Sequence, residues 1–349
     1  MGEIFGTIAE DGRFKLWQED VTEMPNSGRR FVCIFRMSSE TRVPFMSLDF
    51  KNIGTESYVA LATRDGFLKV LEPVDHEDLS QWHTLFERYL CPTPDRMDET
   101  SFKVSFHHEK FPCWTAVRAG LDRKALSLAV TCMNTVKIFR TDKDRRFYHV
   151  ADLKEARDLV RDTSWANGSM RGWDVIATAS KDGCLRIYEL HAEGAAGANE
   201  SFGFNSVDSS ALEKSPNPSA TGGGRRMGQN APSGIGAGLA GSSAALGDLR
   251  DQRSRDGDGA PGRIKEVASM VEEINLHRGA IWKVAFSQGG EFILSDLNGD
   301  LLAFLHANRR LSQSGDVLAS TGDDGSVRTW KRALDGRWHE YAEVEVAGE

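Results

Sequence analysis

The chain has 349 residues, with 43 basic and 51 acidic side chains and a net charge of −8. That sign excludes a protein that holds nucleic acid or anionic lipid through bulk electrostatics. Five scattered cysteines without a C-x-x-C pair exclude a zinc ribbon and a disulfide framework, so reduced, buried thiols are expected.

The first residues carry no basic start followed by an apolar run, and no apolar stretch approaches the roughly 20 residues needed to span a bilayer. Gly6 stands where a myristoylation motif wants Ser or Thr. A soluble intracellular protein is the expectation.

Taken in chain order, one unit recurs: IFGTIAEDGRFKLW at 4–17, VALATRDGFLKVLE at 59–72, LSLAVTCMNTVKIFR at 126–140, VIATASKDGCLRIYEL at 175–190 and VLASTGDDGSVRTWK at 317–331. Each is an aliphatic run, a tight polar turn and an alternating run, which is the pattern of a β-hairpin. The turns are Asp11-Gly12, Asp65-Gly66, Asp182-Gly183 and Asp324-Gly325, because Asp-Gly tolerates the positive φ of a tight turn. In the third unit Met133-Asn134 replaces them, and Asn134 is expected to take the glycine's conformation. Phe14, Leu16, Leu68, Val70, Leu185, Ile187, Val327 and Thr329 fall two apart, on one face of their strands.

Further strands are predicted before the hairpins at 43–50, 114–118 and 280–287, and after them at 30–36, 82–90, 147–153, 266–276 and 338–346. Four antiparallel strands repeating along the chain predict an all-β fold, a β-propeller with about five visible blade units. The last unit, HRGAIWKVAFSQ and then SGDVLASTGDDGSVRTWK, resembles the WD40 consensus, which implies a WD40 β-propeller, here incomplete and open. The expected organisation is propeller blades over 1–191, a Gly/Ser/Ala-rich insertion over 192–262, and a C-terminal blade region over 263–349. Nearly half of the 34 glycines fall within the insertion. Such a composition cannot offset an ordering entropy of roughly 1 to 2 kcal/mol per residue, so a disordered loop is expected there. A second irregular segment at about 289–313 interrupts the last unit and reads as a retained intron or an extra hairpin.

Lys154, Arg157 and Arg161 have helical spacing, but interleaved acids favour a solvated loop over a phosphate patch. In the last unit His277, Ser320, Asp324 and Trp330 stand at the positions of the WD40 hydrogen-bonded tetrad, a structural rather than catalytic set. The nine histidines show no metal-ligand spacing, and His107-His108 would point to opposite faces of a strand. No catalytic residue, cofactor or metal is expected.

The order of these features, and above all LEPVD followed by LSQWHTL at 71–85, resembles the Seh-type nucleoporins, WD40 propellers close to the Sec-thirteen protein. The resemblance implies a six-bladed open propeller completed by a blade donated in trans by a helical-solenoid nucleoporin. It implies a non-catalytic scaffold subunit of the Y-shaped nuclear pore coat, serving nucleocytoplasmic transport, mRNA export and pore assembly, and also of the SEA/GATOR nutrient-signalling complex. The expected location is the nuclear envelope at the pore, with the vacuolar or lysosomal membrane as a second, peripheral site. No direct nucleic acid contact and no transmembrane segment are expected.

Members of that family begin with a further blade, whereas here residue 4 already lies in the second strand of a unit. A truncated gene model and poor solubility of the chain alone are therefore expected. The competing reading is a generic WD40 adaptor, such as a ubiquitin-ligase substrate receptor or a chromatin reader. An enzyme in the propeller channel is the third.

Overall fold

The computed structural model describes residues 3–40, 42–167, 172–193, 262–287 and 317–345. Most of the predicted 192–262 insertion and all of the 289–313 segment lie outside these. The described residues form five antiparallel sheets that follow one another along the chain.

The first sheet has three strands, β1 (Ile4–Ile8), β2 (Arg13–Glu19) and β3 (Phe31–Ser38). The second has β4 (Phe45–Ile53), β5 (Glu56–Thr63), β6 (Phe67–Pro73) and β7 (Trp82–Tyr89). The third has β8 (Phe102–Phe106), β9 (Ser127–Cys132), β10 (Thr135–Thr141) and β11 (Phe147–Leu153). The fourth has β12 (Val160–Trp165), β13 (Asp174–Ser180), β14 (Leu185–Ala192) and β15 (Glu266–Ile274), and the fifth β16 (Ile281–Phe286), β17 (Val317–Gly322), β18 (Ser326–Arg332) and β19 (Trp338–Glu345).

Neighbouring sheets pack in order through the first strand of each, β1 on β4, β4 on β8, β8 on β12 and β12 on β16, and no comparable packing joins β16 to β1. This is the blade architecture of an open propeller, with the predicted hairpins as the two middle strands of each four-stranded blade and as β1 and β2 of the first sheet.

Burial follows from that stacking. Sheet two is covered on both faces: Val59, Leu61 and Leu71 pack toward Phe14 and Leu16 of sheet one, while Ala60, Leu68 and Val70 pack toward Val104, Leu128 and Val130 of sheet three. A strand covered on both sides reads as a continuous apolar run, which is why VALA, LAV and VIATA do not alternate. Gly6 lets sheet two approach sheet one, because a Cβ there would meet the Phe50 ring at 2.7 Å and Leu48 at 2.8 Å.

Three sequence expectations are corrected. Residues 114–118 form a short helix, α1 (Trp114–Arg118), and the leading strand of sheet three is β8. FKVSF alternates buried and half-buried positions, as a strand should, whereas Ala116 of α1 is buried beside Cys113 and Leu121 in a small separate cluster. The stretch ending in LVRDTSW carries β12 rather than ending as a loop, since Val160, Asp162 and Trp165 are buried and Arg161 is held at the blade boundary. In the third hairpin the positive φ falls on Met133 (58°), not Asn134. There Cys132 pairs directly with Thr135, a two-residue connection, while Ala62 pairs with Leu68 and Ala179 with Leu185 across longer ones. A two-residue turn can place its left-handed residue first, which moves the strain one position forward.

Candidate interaction site

In the fifth sheet the four tetrad residues meet. His277 precedes β16 and is buried; its Nδ1 lies 3.0 Å from Asp324 Oδ2 and its Nε2 2.8 Å from Ser320 Oγ. Trp330 Nε1 donates to the same Ser320 hydroxyl at 2.9 Å, and its ring is 1% exposed. Asp324 also accepts from the Ser326 hydroxyl at 2.8 Å and the Ser326 amide at 3.1 Å. Partial burial works to raise the Asp324 carboxyl, but these donors and His277 outweigh it and hold the group well below the usual carboxylate range. The network ties the loop before β16 to the β17–β18 turn and satisfies polar atoms inside the blade.

The other predicted turn residues act locally. Asp11 accepts from the Arg13 amide at 3.0 Å, and Asp182 from the Cys184 amide at 3.0 Å and the Arg186 guanidinium at 2.7 Å. Asp65 accepts from the Thr63 hydroxyl. Gly12, Gly66, Gly183 and Gly325 all hold φ between 70° and 81°. The basic stripe is paired: Lys154 with Asp152 at 2.9 Å, Arg157 with Glu273 at 3.4 Å, and Arg161 with Glu99, its guanidinium 4.4 Å above the Trp282 ring. His107 is buried, with its ring 5.2 Å from that of Trp165, and burial holds its imidazole below the ordinary value.

Two further features escaped the sequence reading. The first lies at the seams. Ser47 Oγ and Asp49 Oδ2 of β4 accept from the amides of Val104 and Phe106 on β8, at 3.1 and 2.7 Å. Asp162 Oδ2 and Ser164 Oγ of β12 accept from Val284 and Phe286 on β16, at 3.1 and 3.2 Å. The leading strand of each of these blades thus supplies side-chain acceptors to the next, and the only trace in the sequence is a polar pair two residues apart, Ser47 and Asp49 or Asp162 and Ser164. Between sheets three and four, fully buried Arg140 on β10 spans Asp174 at 2.6 Å and Glu266 at 2.7 and 3.0 Å. Burial works to raise the Asp174 carboxyl, yet the adjacent guanidinium keeps it below its ordinary value.

The second feature is sheet one, where the chain offers an unfilled surface. Trp17 Nε1 donates to Thr7 Oγ1 at 2.9 Å, repeating the Trp330 and Ser320 half of the tetrad. The described residues supply neither a histidine nor a leading strand to complete it, and among them β1 pairs with β2 alone. Phe14 and Leu16 face sheet two, while the opposite face carries Phe5, Trp17 and Phe31. Phe5 stacks on Trp17 at 6.3 Å and meets Phe31 edge-on at 5.0 Å. Phe5 is 39% and Phe31 43% exposed, with Val32 open beside them. An exposed aromatic cluster next to an unpaired strand edge is suited to β-strand addition.

Among the described residues no group of three or more His, Cys, Asp or Glu is placed to hold a metal ion, and no helix is long and apolar enough to cross a membrane.

Residues 307–331 match the WD domain, G-beta repeat family. With five propeller-type sheets and the tetrad on the page, the chain is a WD40 β-propeller protein. A solved structure, that of Saccharomyces cerevisiae Sqt1, covers 99% of this chain and 60% of its own, with a TM-score of 0.50 and 8% identity, a likeness of fold alone. Nucleoporin SEH1 of Chaetomium thermophilum is 28% identical over 372 aligned residues, and Nucleoporin SEH1 of Saccharomyces cerevisiae is 22% identical over 331. These alignments take in 87% and 95% of this chain. In sequence the chain is thus similar to these nucleoporins. It spans 63% of the length of the Chaetomium protein and 76% of the yeast one.

Proposed function

We propose that this chain is a non-catalytic scaffold subunit of the nuclear pore coat, and that its first sheet is completed by a β-strand segment from a helical-solenoid nucleoporin. The observation that carries the reading is the three-stranded sheet one, whose β1 pairs only with β2 among the described residues and which exposes Phe5 and Phe31 beside half-buried Trp17. Main-chain pairing along β1 would use the amides and carbonyls that pair with no other strand among the described residues, and an apolar strand laid over the aromatic cluster would remove that surface from water. The names of the relatives support the pore as the place of assembly. The nutrient-signalling complex is a further assembly that the same surface would serve, and this part rests on the family resemblance.

The test is co-expression of the chain with a helical-solenoid nucleoporin followed by size exclusion. Co-elution is expected, and Phe31→Asp should weaken capture at least about tenfold, as burying a charge in an aromatic anchor site does. Affinity purification from nuclei should recover pore scaffold subunits. Recovery of cullin or histone partners instead would favour the adaptor reading.

A further inference from the structure

The five thiols are all unpaired by disulfides, and they differ in their surroundings. Cys33 lies 3.4 Å from the Phe35 carbonyl oxygen, Cys113 3.7 Å from the Thr115 hydroxyl and Cys184 3.7 Å from Glu273. Cys91 and Cys132 instead lie against one another. Cys91 follows the last strand of sheet two and is half-buried; Cys132 closes β9 of sheet three and is 3% exposed. The seam makes room for the first sulfur at Gly66, where a Cβ would come within 2.9 Å of Cys91 Sγ and 3.4 Å of the Phe102 ring. Phe102 is in turn the cross-strand partner of Cys132. Two sulfurs from different blades thus share one turn-end pocket, one of them reachable from solvent and the other behind it.

We propose that Cys91 and Cys132 are a redox-modification site, at which a hydroperoxide converts the two thiols into a reversible disulfide stapling the second blade to the third. The Cys91 thiolate attacks a peroxide oxygen, the O–O bond breaks, and the hydroxide or alkoxide that leaves takes up the proton released by the thiol, giving the sulfenic acid and water or an alcohol. Cys132 sulfur then attacks Cys91 sulfur; hydroxide departs and takes up the Cys132 proton as water. Two electrons pass from the thiol pair to the peroxide, and thiol exchange with a reductant reverses the step. The order of events follows from exposure: burial, with Cys91 alongside, pushes the Cys132 thiol up to about 12, so Cys132 is the resolving and not the attacking partner. The staple would clamp the seam directly above the apolar cluster shared by sheets two and three.

The experiment treats the purified full chain with hydrogen peroxide, labels remaining thiols with maleimide, and digests without reductant for mass spectrometry. A linked peptide pair joining Cys91 to Cys132, with at least tenfold less maleimide on both, is expected, and dithiothreitol should restore labelling. Peroxide should drive Cys91 to the sulfinic acid in Cys132→Ser, and should leave Cys132 a thiol in Cys91→Ser. Circular dichroism checks that each variant is folded, and Cys91→Ser, at the more open site, carries the test if the buried substitution unfolds the chain. Sulfinic acid at Cys91 of the unsubstituted chain without a linked peptide, or linkage to Cys33, Cys113 or Cys184 instead, would overturn the proposal.

Discussion

The first and fifth sheets use the same tryptophan in the same strand and end in different states. Trp17 and Trp330 each donate to a hydroxyl on the preceding strand, Thr7 and Ser320, at 2.9 Å. In the fifth sheet His277 arrives from the loop before the leading strand, reaches both Ser320 and Asp324, and the ring is sealed. In the first, the described residues supply neither a strand ahead of β1 nor a histidine, and Trp17 stays half-exposed beside Phe5 and Phe31. A WD40 tetrad is therefore a property of a four-stranded blade; its tryptophan and hydroxyl alone make a pair that water can reach.

Substitutions can break or sharpen that contrast. Trp330→Ala should cost about 3 to 5 kcal/mol, because it removes a sealed aromatic ring and leaves a cavity, while Trp17→Ala should cost only about 1 kcal/mol on a half-open surface. Urea unfolding followed by circular dichroism measures both, and equal losses would dissolve the distinction. Ser320→Ala strands the buried donor of Trp330 and one nitrogen of His277, for an expected loss of about 1 to 3 kcal/mol. Thr7→Ala should stay below about 1 kcal/mol, since the Trp17 N–H can turn to water. A smaller effect, with a pH signature, comes from Asp324→Asn. The folded-state pKa of Asp324 is lowered, so its contribution is present above the unfolded carboxylate value near 4 and fades as the pH falls below that toward the folded-state value. The variant should be less stable than the parent at pH 7 and approach it at low pH in thermal melts; a gap that does not narrow on acidification would count against this account.

Seams between blades give a further contrast with the open end. Replacing Arg140 by Ala would leave Asp174 and Glu266 buried without their cation, and breaking such a pair typically costs about 3 to 5 kcal/mol. The central seam is thus held by groups that tolerate no loss. The aromatic face of sheet one makes no such internal demand, so Phe31→Asp is expected to spare the fold while impairing partner capture.

Much of this was legible in the chain. Five hairpins and four Asp-Gly turns could be placed from spacing, because strand alternation and turn chemistry act over a few residues, while the residues of the last tetrad were placed by likeness to the WD40 consensus. Trp114–Arg118 misled since β-branched and aromatic residues suit strands locally, while packing against Leu121 and Ala125 decided for a helix. Val160–Trp165 was hidden because Asp162 and Ser164 are spent on the neighbouring blade, so the strand reads as polar. Arg140 gave no sign at all: its partners lie 34 and 126 residues away.

By itself, then, the sequence determined the repeat and the propeller class, since these rest on local periodicity and turn geometry. Only the tertiary structure decided which acids serve as seam acceptors, which cysteines meet, and which tryptophan is sealed. Those outcomes depend on which blade lies beside which, and the free energy of a buried polar or aromatic group is set by the neighbour that covers it.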